Sequence, residues 1–260
     1  MNVGGETGVV ADVRGLQEMA ARALQADYVE YVGDWWLRYS PGSSWWVGTA
    51  LPHGTASEEG VRKRIFAAER FYDRLGSVTR FQVTPGACPD RLDSMLAENG
   101  YRRQSRVSLC TASTAEVQRI RRRTEFSLRW DSHPTPEWFG LWHAVYDDGS
   151  DPLVEWNMLG RVRQPSAYAS AWDGGKIISV ARAVIDGDWA GIFSMATLPE
   201  ARGMGAGRTV LSLLADWAAT HAAAAMYLQV EFDNDPALQL YNISNFIELG
   251  RYHYRQRVSP

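Results

Sequence analysis

The chain has 260 residues, enough for one large domain or two small ones; 45% are hydrophobic and 22% charged, an ordinary globular composition. The formal net charge of −3 provides no strong field that would attract nucleic acid or an anionic membrane. No run of 18 apolar residues predicts a membrane span, and the opening MNVGGETGVVADVRG lacks the apolar stretch of a signal peptide, so we expect a cytoplasmic protein. Cys88 and Cys110 form no C-x-x-C pair and are predicted to be buried, reduced thiols.

The first half alternates helical and extended patterns. Ser57 is placed to cap a helix whose first turn carries Glu58 and Glu59, which suit the positive end of the helix dipole. The predicted elements, in chain order, are a helix at 11–25, two aromatic-rich strands around a turn at Pro41-Gly42, a helix at 57–75, a strand at 79–83, a helix at 89–98 and a strand at 106–111. Residues 112–124 contain the basic run RIRRR without apolar periodicity, and we interpret them as a solvated connection between two halves.

The second half has clearer patterns. Gly174-Gly175 and Gly187-Asp188 are typical of hairpin turns between three consecutive strands. The predicted elements are a helix at 136–148, strands at 167–172, 176–186 and 189–197, a helix from the glycines near 205 to about 222, a strand at 225–232, a helix at 235–244 and a strand at 250–257.

A weak internal repeat links the two halves. Gln82 precedes Pro89 by seven residues, as Gln229 precedes Pro236, and in both halves a short helix and a final strand follow. Two similar strand–helix–strand endings favour tandem related domains, although α/β sequences produce such likenesses by accident as well. The first half has no counterpart of the glycine-rich segment of the second, so a duplicated first half would have lost that site.

The glycine-rich segment RGMGAG, at 202–207, lies between a predicted strand and a predicted helix. The dinucleotide fingerprint G-x-G-x-x-G would require glycine where Arg208 stands, and a P-loop would require a lysine that is absent nearby. An R-x-x-G-x-G pattern remains. Its glycines let backbone amides converge on one anion, and the following helix adds free N–H groups and the positive end of its dipole. The alternative is a turn that only joins strand to helix.

These residues carry a resemblance to a known family. MATLPEARGMGAGRTVLSLL resembles the acyl-CoA-binding motif of the GNAT superfamily of N-acetyltransferases, and LQVEFDNDPALQLYNISNF resembles that family's downstream motif. The resemblance covers residues 165–256 well and the first half weakly. One departure is Asn245, where the family usually has glycine; asparagine tolerates the left-handed turn that this position implies.

The resemblance implies acetyl-CoA as co-substrate and no metal. The pyrophosphate is expected on backbone amides of 203–208, and the pantetheine arm on a strand edge that opens where 195–197 diverges from 227–231. The residues expected to bind the cofactor are Met195, Ala196, Thr197, Arg202, Gly203, Met204, Gly205, Ala206, Gly207, Arg208 and Asn234. Asn234 is also placed to cap the next helix.

The resemblance also implies catalytic roles. Tyr241 matches the family's tyrosine that protonates the leaving thiolate, and backbone amides near Met195 would stabilise the oxyanion. Glu231 is the first choice for a general base, with Glu155, Asp147, Asp148 and His143 in the region that usually forms the acceptor side; no spacing singles out one of them.

The aromatic residues leave two interpretations open. Trp35, Trp36, Trp45 and Trp46 are expected to pack in a sheet, and a cation–π pocket for an amine is the alternative. Tyr252 and Tyr254 share one side of the last strand and are expected to fill a core, with a pocket wall as the alternative.

We therefore predict an α/β protein with two GNAT-like mixed β-sheets flanked by helices. Residues 1–118 would form a degenerate GNAT-like domain and 119–260 the catalytic domain. The expected activity is acetyl transfer to a primary amine of a small molecule or peptide, with no nucleic-acid or membrane partner and a homodimer left open. A non-catalytic acyl-CoA-binding regulatory module is the alternative, and acetylation of a macromolecule such as a protein terminus or charged tRNA is not excluded.

Overall fold

The computed structural model describes residues 12–146 and 148–257. The helices are α1 (Val13–Arg22), α2 (Glu58–Arg74), α3 (Leu92–Glu98), α4 (Thr114–Gln118), α5 (Pro136–Tyr146), α6 (Pro152–Gly160), α7 (Ala206–Thr220) and α8 (Asp235–Asn242). The strands are β1 (Tyr28–Val32), β2 (Trp35–Tyr39), β3 (Leu51–Pro52), β4 (Arg80–Val83), β5 (Arg102–Ser113), β6 (Ser127–Asp131), β7 (Ser166–Asp173), β8 (Lys176–Asp186), β9 (Trp189–Thr197), β10 (Ala225–Glu231) and β11 (Ile247–Gln256).

Two sheets carry the fold. Eight strands form a mixed sheet in the order β4-β11-β5-β10-β9-β8-β7-β6, and β1-β2-β3 form a small antiparallel sheet. A parallel bridge between Ala50 and Phe81 fastens the small sheet to β4. The predicted α/β class with mixed sheets flanked by helices is confirmed, but the sheets are not divided one to each half of the chain.

The two halves exchange their last strands. β5 of the first half pairs with β10 of the second, β11 of the second pairs with β4 of the first, and β5 and β11 pair with each other at the centre. The strand register agrees with the internal repeat. Val83 and Val230 directly follow Gln82 and Gln229, and they lie opposite His253 and Ser108, respectively, at equivalent places in the two final strands. The pairing therefore has the pseudo-twofold symmetry expected of a duplicated unit. The predicted domain division between 118 and 119 stays a prediction, because the sheet runs across it without a break.

Helices cover the two faces of the large sheet differently. On β8, Ala181 and Ala183 pack in the cluster that includes α7, whereas Val180 packs in the cluster that includes α5. We call these the α7 face and the α5 face. Because successive residues of a strand point to opposite faces, the same alternation assigns the side chains of neighbouring strands. In the part of the chain that the structure describes, no helix has the length and apolar character needed to cross a bilayer.

Several predicted elements agree closely with the structure, and a few were wrong or missed. The predicted bounds of β8 and β9 are confirmed residue for residue, and Asn245 adopts the predicted left-handed conformation with φ +64°. The predicted start of the first helix at residue 11 lies outside the described residues. The predicted turn at Pro41-Gly42 is present, with Gly42 at φ +76°, but it follows β2; the hairpin between β1 and β2 reverses at Gly33-Asp34, where Gly33 has φ +63°. β6, α4 and α6 were missed because they are short and lack a long apolar period.

Candidate active site

The glycine-rich segment forms the entrance to α7. A short 3-10 turn, Pro199–Ala201, leads into Gly203 and Gly205, whose φ angles are +78° and +87°. Gly205 is the N-cap of α7, and no side chain caps it. Within the described residues, no backbone acceptor outside the helix receives the amides of 205–208. Four unsatisfied donors at the positive end of a helix dipole make this helix entrance a candidate anion site.

Glycine is required here by backbone conformation and by close packing. A Cβ at Gly205 would lie 3.3 Å from Cγ of Arg123, in addition to the strain of its positive φ. A Cβ at Gly207 would lie 3.3 Å from Oγ1 of Thr197 and 3.9 Å from Sδ of Met195. The first turn of α7 therefore rests directly against the end of β9, and this contact brings the predicted 195–197 and 203–208 segments together.

The exposure of the predicted cofactor residues follows from this packing. Arg202, Gly203 and Met204 are exposed, whereas Ala206 is buried at 1% exposure. The exposed loop and the amides behind it leave room for a charged group, while the buried side chains fix the backbone. Arg208 lies half-buried in the first turn of α7.

The corresponding helix of the first half cannot hold an anion in this way. α2 precedes β4 as α7 precedes β10, so the two helices occupy equivalent places in the repeat. Oγ of Ser57 caps α2 by accepting from the amide of Gly60 at 3.2 Å, and Glu58 and Glu59 stand in the first turn. One donor is occupied by the cap and the local charge is negative, which gives a physical reason why this half would not bind a phosphate here.

β9 is bulged and diverges from β10 beside this helix. Its pairing with β8 passes from Arg182–Phe193 to Val180–Ala196, which leaves Ser194 and Met195 opposite a single residue of β8, and Ser194 has φ +53°. Its parallel pairing with β10 ends at Ile192–Leu228, although both strands continue. The expected opening between 195–197 and the end of β10 is therefore present, and the bulge that sequence could not reveal accompanies it.

Tyr241 lies on the α7 face, next to the opening. It is 7% exposed, and its ring packs edge-to-face on Phe246 with centroids 5.9 Å apart. Burial raises the pKa of Tyr241, and the neighbouring Tyr146 and Cys110 raise it further. Tyr146 is the last residue of α5, which covers the opposite face of the sheet. A phenol in this state keeps its proton at neutral pH, as a general acid must.

The other predicted polar residues have definite partners. Oδ1 of Asn234 accepts from the amide of Ala237 at 3.2 Å, so Asn234 caps α8 while its side chain remains exposed. Glu231 ends β10 in an exposed position, where Oγ of Ser105 donates to it at 3.3 Å.

The remaining candidates for a general base differ in their surroundings. Glu155 is buried and accepts from the amide and hydroxyl of Ser44 at 2.7 and 2.9 Å, a structural use that leaves it away from solvent. His143 stacks on Phe139 in α5, and Asp148 accepts from the amide of Ser150. Asp147 lies outside the described residues. No group of three or more metal-ligating side chains occurs among the residues that the structure describes.

Sequence reasoning missed positive charge beside the loop. The run RIRRR was interpreted as solvated, but Arg122 binds Asp216 and the carbonyl of Ser212 on α7, and the stem of Arg123 lies against Gly205. The backbone amide of Arg123 also donates to Oγ1 of Thr209 at 3.2 Å. The charge run was the only signal in the sequence, and a charge run does not say which surface it faces.

The tryptophan cluster divides between core and junction. Trp35 is fully buried and packs edge-to-face on Phe81, which confirms the core interpretation for this residue. Trp45 instead packs edge-to-face on Tyr254, with centroids 4.9 Å apart, and together with Trp46 covers a cluster that contains Tyr252. These rings join the first half of the chain to the last strand of the second.

Comparison with known proteins finds similarity to acetyltransferases. The model of the Acetyltransferase (GNAT) family matches residues 126–246. The matched part of the chain holds the bulge, the glycine loop and Tyr241.

Relatives extend the likeness beyond that segment. The chain is 28% identical over 257 residues to a protein of Bacillus subtilis (strain 168) named "Uncharacterized N-acetyltransferase YobR", a match that covers 94% of this chain and 98% of that one. A GCN5-related N-acetyltransferase from Kribbella flavida has a TM-score of 0.74 at 13% identity, covering 98% of both chains. A tandem GNAT protein from the clavulanic acid biosynthesis pathway, solved without AcCoA, has a TM-score of 0.63 at 12% identity, covering 92% of this chain and 86% of that one. The fold likeness thus spans both halves.

Proposed function

We propose that the protein transfers an acetyl group from acetyl-CoA to the primary amine of a small molecule or peptide. One observation carries the proposal: an uncapped helix N-terminus and a bulged, diverging strand meet within van der Waals distance, with the buried phenol of Tyr241 beside the opening.

The residues fit the cofactor that the family implies. The free amides of 205–208 and the positive charge of Arg202, Arg208 and Arg123 would hold the pyrophosphate. The unpaired edge of β9 from 195 to 197 would hydrogen-bond the amides of the pantetheine arm, as an added strand does. Asn234 is available at the start of α8, where its amide nitrogen is not needed for the cap.

Acetyl-CoA would supply an activated acetyl thioester to this opening. In the proposed step the amine nitrogen forms a bond to the acetyl carbon, the carbon–sulfur bond breaks, and the sulfur takes the proton of Tyr241. The nitrogen then releases one proton to water to become an amide, and the phenolate of Tyr241 regains a proton from water. The backbone amides freed at Ser194 and Met195 would donate to the acetyl oxygen as negative charge develops on it. The burial that raises the pKa of Tyr241 keeps this proton available.

An ammonium acceptor must lose a proton before it can attack. Glu231 stands at the exposed end of β10 on the α5 face, where an acceptor can approach the opening without crossing the cofactor. We propose that Glu231 accepts this proton directly or through water. The buried Glu155 is held by Ser44 and serves the structure.

Two measurements test the proposal on the full-length protein. Calorimetric titration with acetyl-CoA should show one saturable site, and a colorimetric free-thiol assay across a library of amines should show acceptor-dependent release of CoA. Saturable binding without thiol release for any amine would favour a non-catalytic acyl-CoA-binding module. Absence of binding would overturn the proposal altogether.

A further inference from the structure

Arg38 is a buried cation without an acidic partner. It is 7% exposed, its Nε makes no hydrogen bond within the described residues, and its one side-chain bond there is a long contact of 3.4 Å to Oγ1 of Thr49. Burial lowers the pKa of Arg38. The groups that oppose this lowering are the phenols of Tyr72, Tyr254 and Tyr252, with no carboxylate among them. An arginine nevertheless remains protonated, so this charge is desolvated and uncompensated.

Arg38 faces the junction between the halves. On β2 it points away from Trp35 and Leu37, which pack with α2. Its contact Thr49 in turn donates to the carbonyl of Trp46, which covers the Tyr252–Tyr254 cluster. The guanidinium therefore lies behind the aromatic wall of the last strand rather than in the core of the first half.

This wall lies on the acceptor side of the opening. In the register of the large sheet Glu231 is opposite Val107, and Val107 is opposite Tyr252, so these three form a row on one face. Tyr254 packs edge-to-face on Tyr252 and on Trp45, and burial raises its pKa to about 12. On the α5 face, one row thus runs from Glu231 to the aromatic wall in front of the buried cation.

We infer, on the basis of the proposed function, that the acceptor is an amine that carries a carboxylate at the other end of its carbon chain, as an ω-amino acid does, and that Arg38 binds the carboxylate. The arrangement has the matching charges: a buried cation at one end, an exposed Glu231 for the ammonium end, and the rings of Trp45, Tyr252 and Tyr254 between them. A planar carboxylate would accept two hydrogen bonds from the guanidinium and offset its desolvation, which nothing in the described chain now does.

Arg182 is the other buried arginine with free nitrogens, and it does not fit this role. It is fully buried, its guanidinium stacks 5.0 Å from the ring of Phe193, and Tyr168 lies opposite it on β7. No part of Arg182 reaches the surface, whereas Arg38 retains 7% exposure. Arg182 instead adds positive potential beneath the bulge.

The test compares acceptors that differ only in charge. The free-thiol assay would measure kcat/KM for ω-amino acids of increasing chain length and for the corresponding ω-amino acid amides, which keep the amine and lose the carboxylate. We expect the acids to be preferred by about 10- to 150-fold, the range of one charge-assisted hydrogen bond. In Arg38→Gln this acid-to-amide ratio should fall toward one, chiefly through KM for the acids. Arg38→Lys, which keeps the charge without the fork, should retain part of the preference.

Arg64→Gln is the matched control. Arg64 also has a buried nitrogen without a partner, but it lies over Trp35 on the α2 side, away from the junction, so its replacement should leave the ratio unchanged. Melting temperature and acetyl-CoA affinity would report folding of each variant.

The outcomes separate the two proposals. Equal turnover of acids and amides by the unmodified protein would overturn this inference and leave acetyl transfer intact. The same holds if a preference for acids survives in both Arg38 variants. Failure to acetylate any amine would instead overturn the proposed function.

Discussion

Replacement of Gly205 by alanine separates the cost of backbone strain from the loss of an anion site. Gly205 has φ +87°, and an alanine in this region costs about 1–2 kcal/mol. For a chain of this size the melting temperature should fall by roughly 2–8 °C. The new Cβ would also lie 3.3 Å from Cγ of Arg123, which adds to the strain. The chain can relieve both by rotating the peptide at the start of α7.

That relief should weaken the binding of acetyl-CoA. Turning the peptide moves at least one amide of the helix entrance away from its direction toward the pyrophosphate. One charge-assisted hydrogen bond contributes about 1.5–3 kcal/mol, so the dissociation constant should rise by about 10- to 150-fold. Calorimetric titration with acetyl-CoA would measure this increase directly, and a thermal scan would measure the loss of stability in the same variant.

Gly187→Ala provides the control for strain alone. Gly187 has φ +60° in the hairpin between β8 and β9, and a Cβ there would meet nothing within 4 Å. It should lower the melting temperature by a similar amount without a change in affinity. If Gly205→Ala also binds acetyl-CoA with unchanged affinity, the glycine loop only joins strand to helix, and the pyrophosphate site assigned to it is wrong.

Three further predictions follow from the described contacts. Tyr241→Phe should lower kcat by about 10²–10⁴-fold in the free-thiol assay, with little change in the dissociation constant of acetyl-CoA; an unchanged kcat would remove its acid role. Ser57→Ala should destabilise the protein by about 0.5–2 kcal/mol in urea unfolding without affecting that dissociation constant, because its cap belongs to the helix without an anion site. Arg255 and His253, despite partial burial, hold the pKa of Asp93 at about 2, below its ordinary 3.8, so the stability it provides is present above pH 4 and lost as the pH falls toward 2. The urea midpoint of Asp93→Asn should therefore fall less steeply between pH 4 and 2, and an unchanged slope would contradict this.

Asp93 also shows how the exchanged strand is held. Its Oδ1 receives hydrogen bonds at 2.8 Å from Nε2 of His253 and from Nε of Arg255, both on β11. These bonds tie the last strand of the second half to α3 of the first. Together with the pairing of β11 to β4, they make separate folding of the two halves unfavourable, because each half alone would lack a strand of its sheet.

The sequence by itself determined most elements and the family motif. Alternating apolar residues predicted β8 and β9 with their bounds, the glycines predicted the entrance to α7, and Asn234 predicted the start of α8. These features depend on neighbours in the chain, on residue type and on backbone preference, so they can be read locally. The weak repeat around Gln82 and Gln229 was visible as well, but not what the repeat builds.

Only the tertiary structure decided which residues of those elements come into contact. The exchange of β5 and β11 and the position of Arg38 behind the last strand arise from contacts between residues far apart in sequence, whereas the bulge at Ser194 arises from the register within the β8–β9 hairpin. A bulge depends on the register between two strands, and the lack of a partner for a buried cation depends on everything packed around it. Neither property belongs to a residue or its neighbours in sequence, because it is the packed sheet that fixes which groups meet and which charges remain uncompensated.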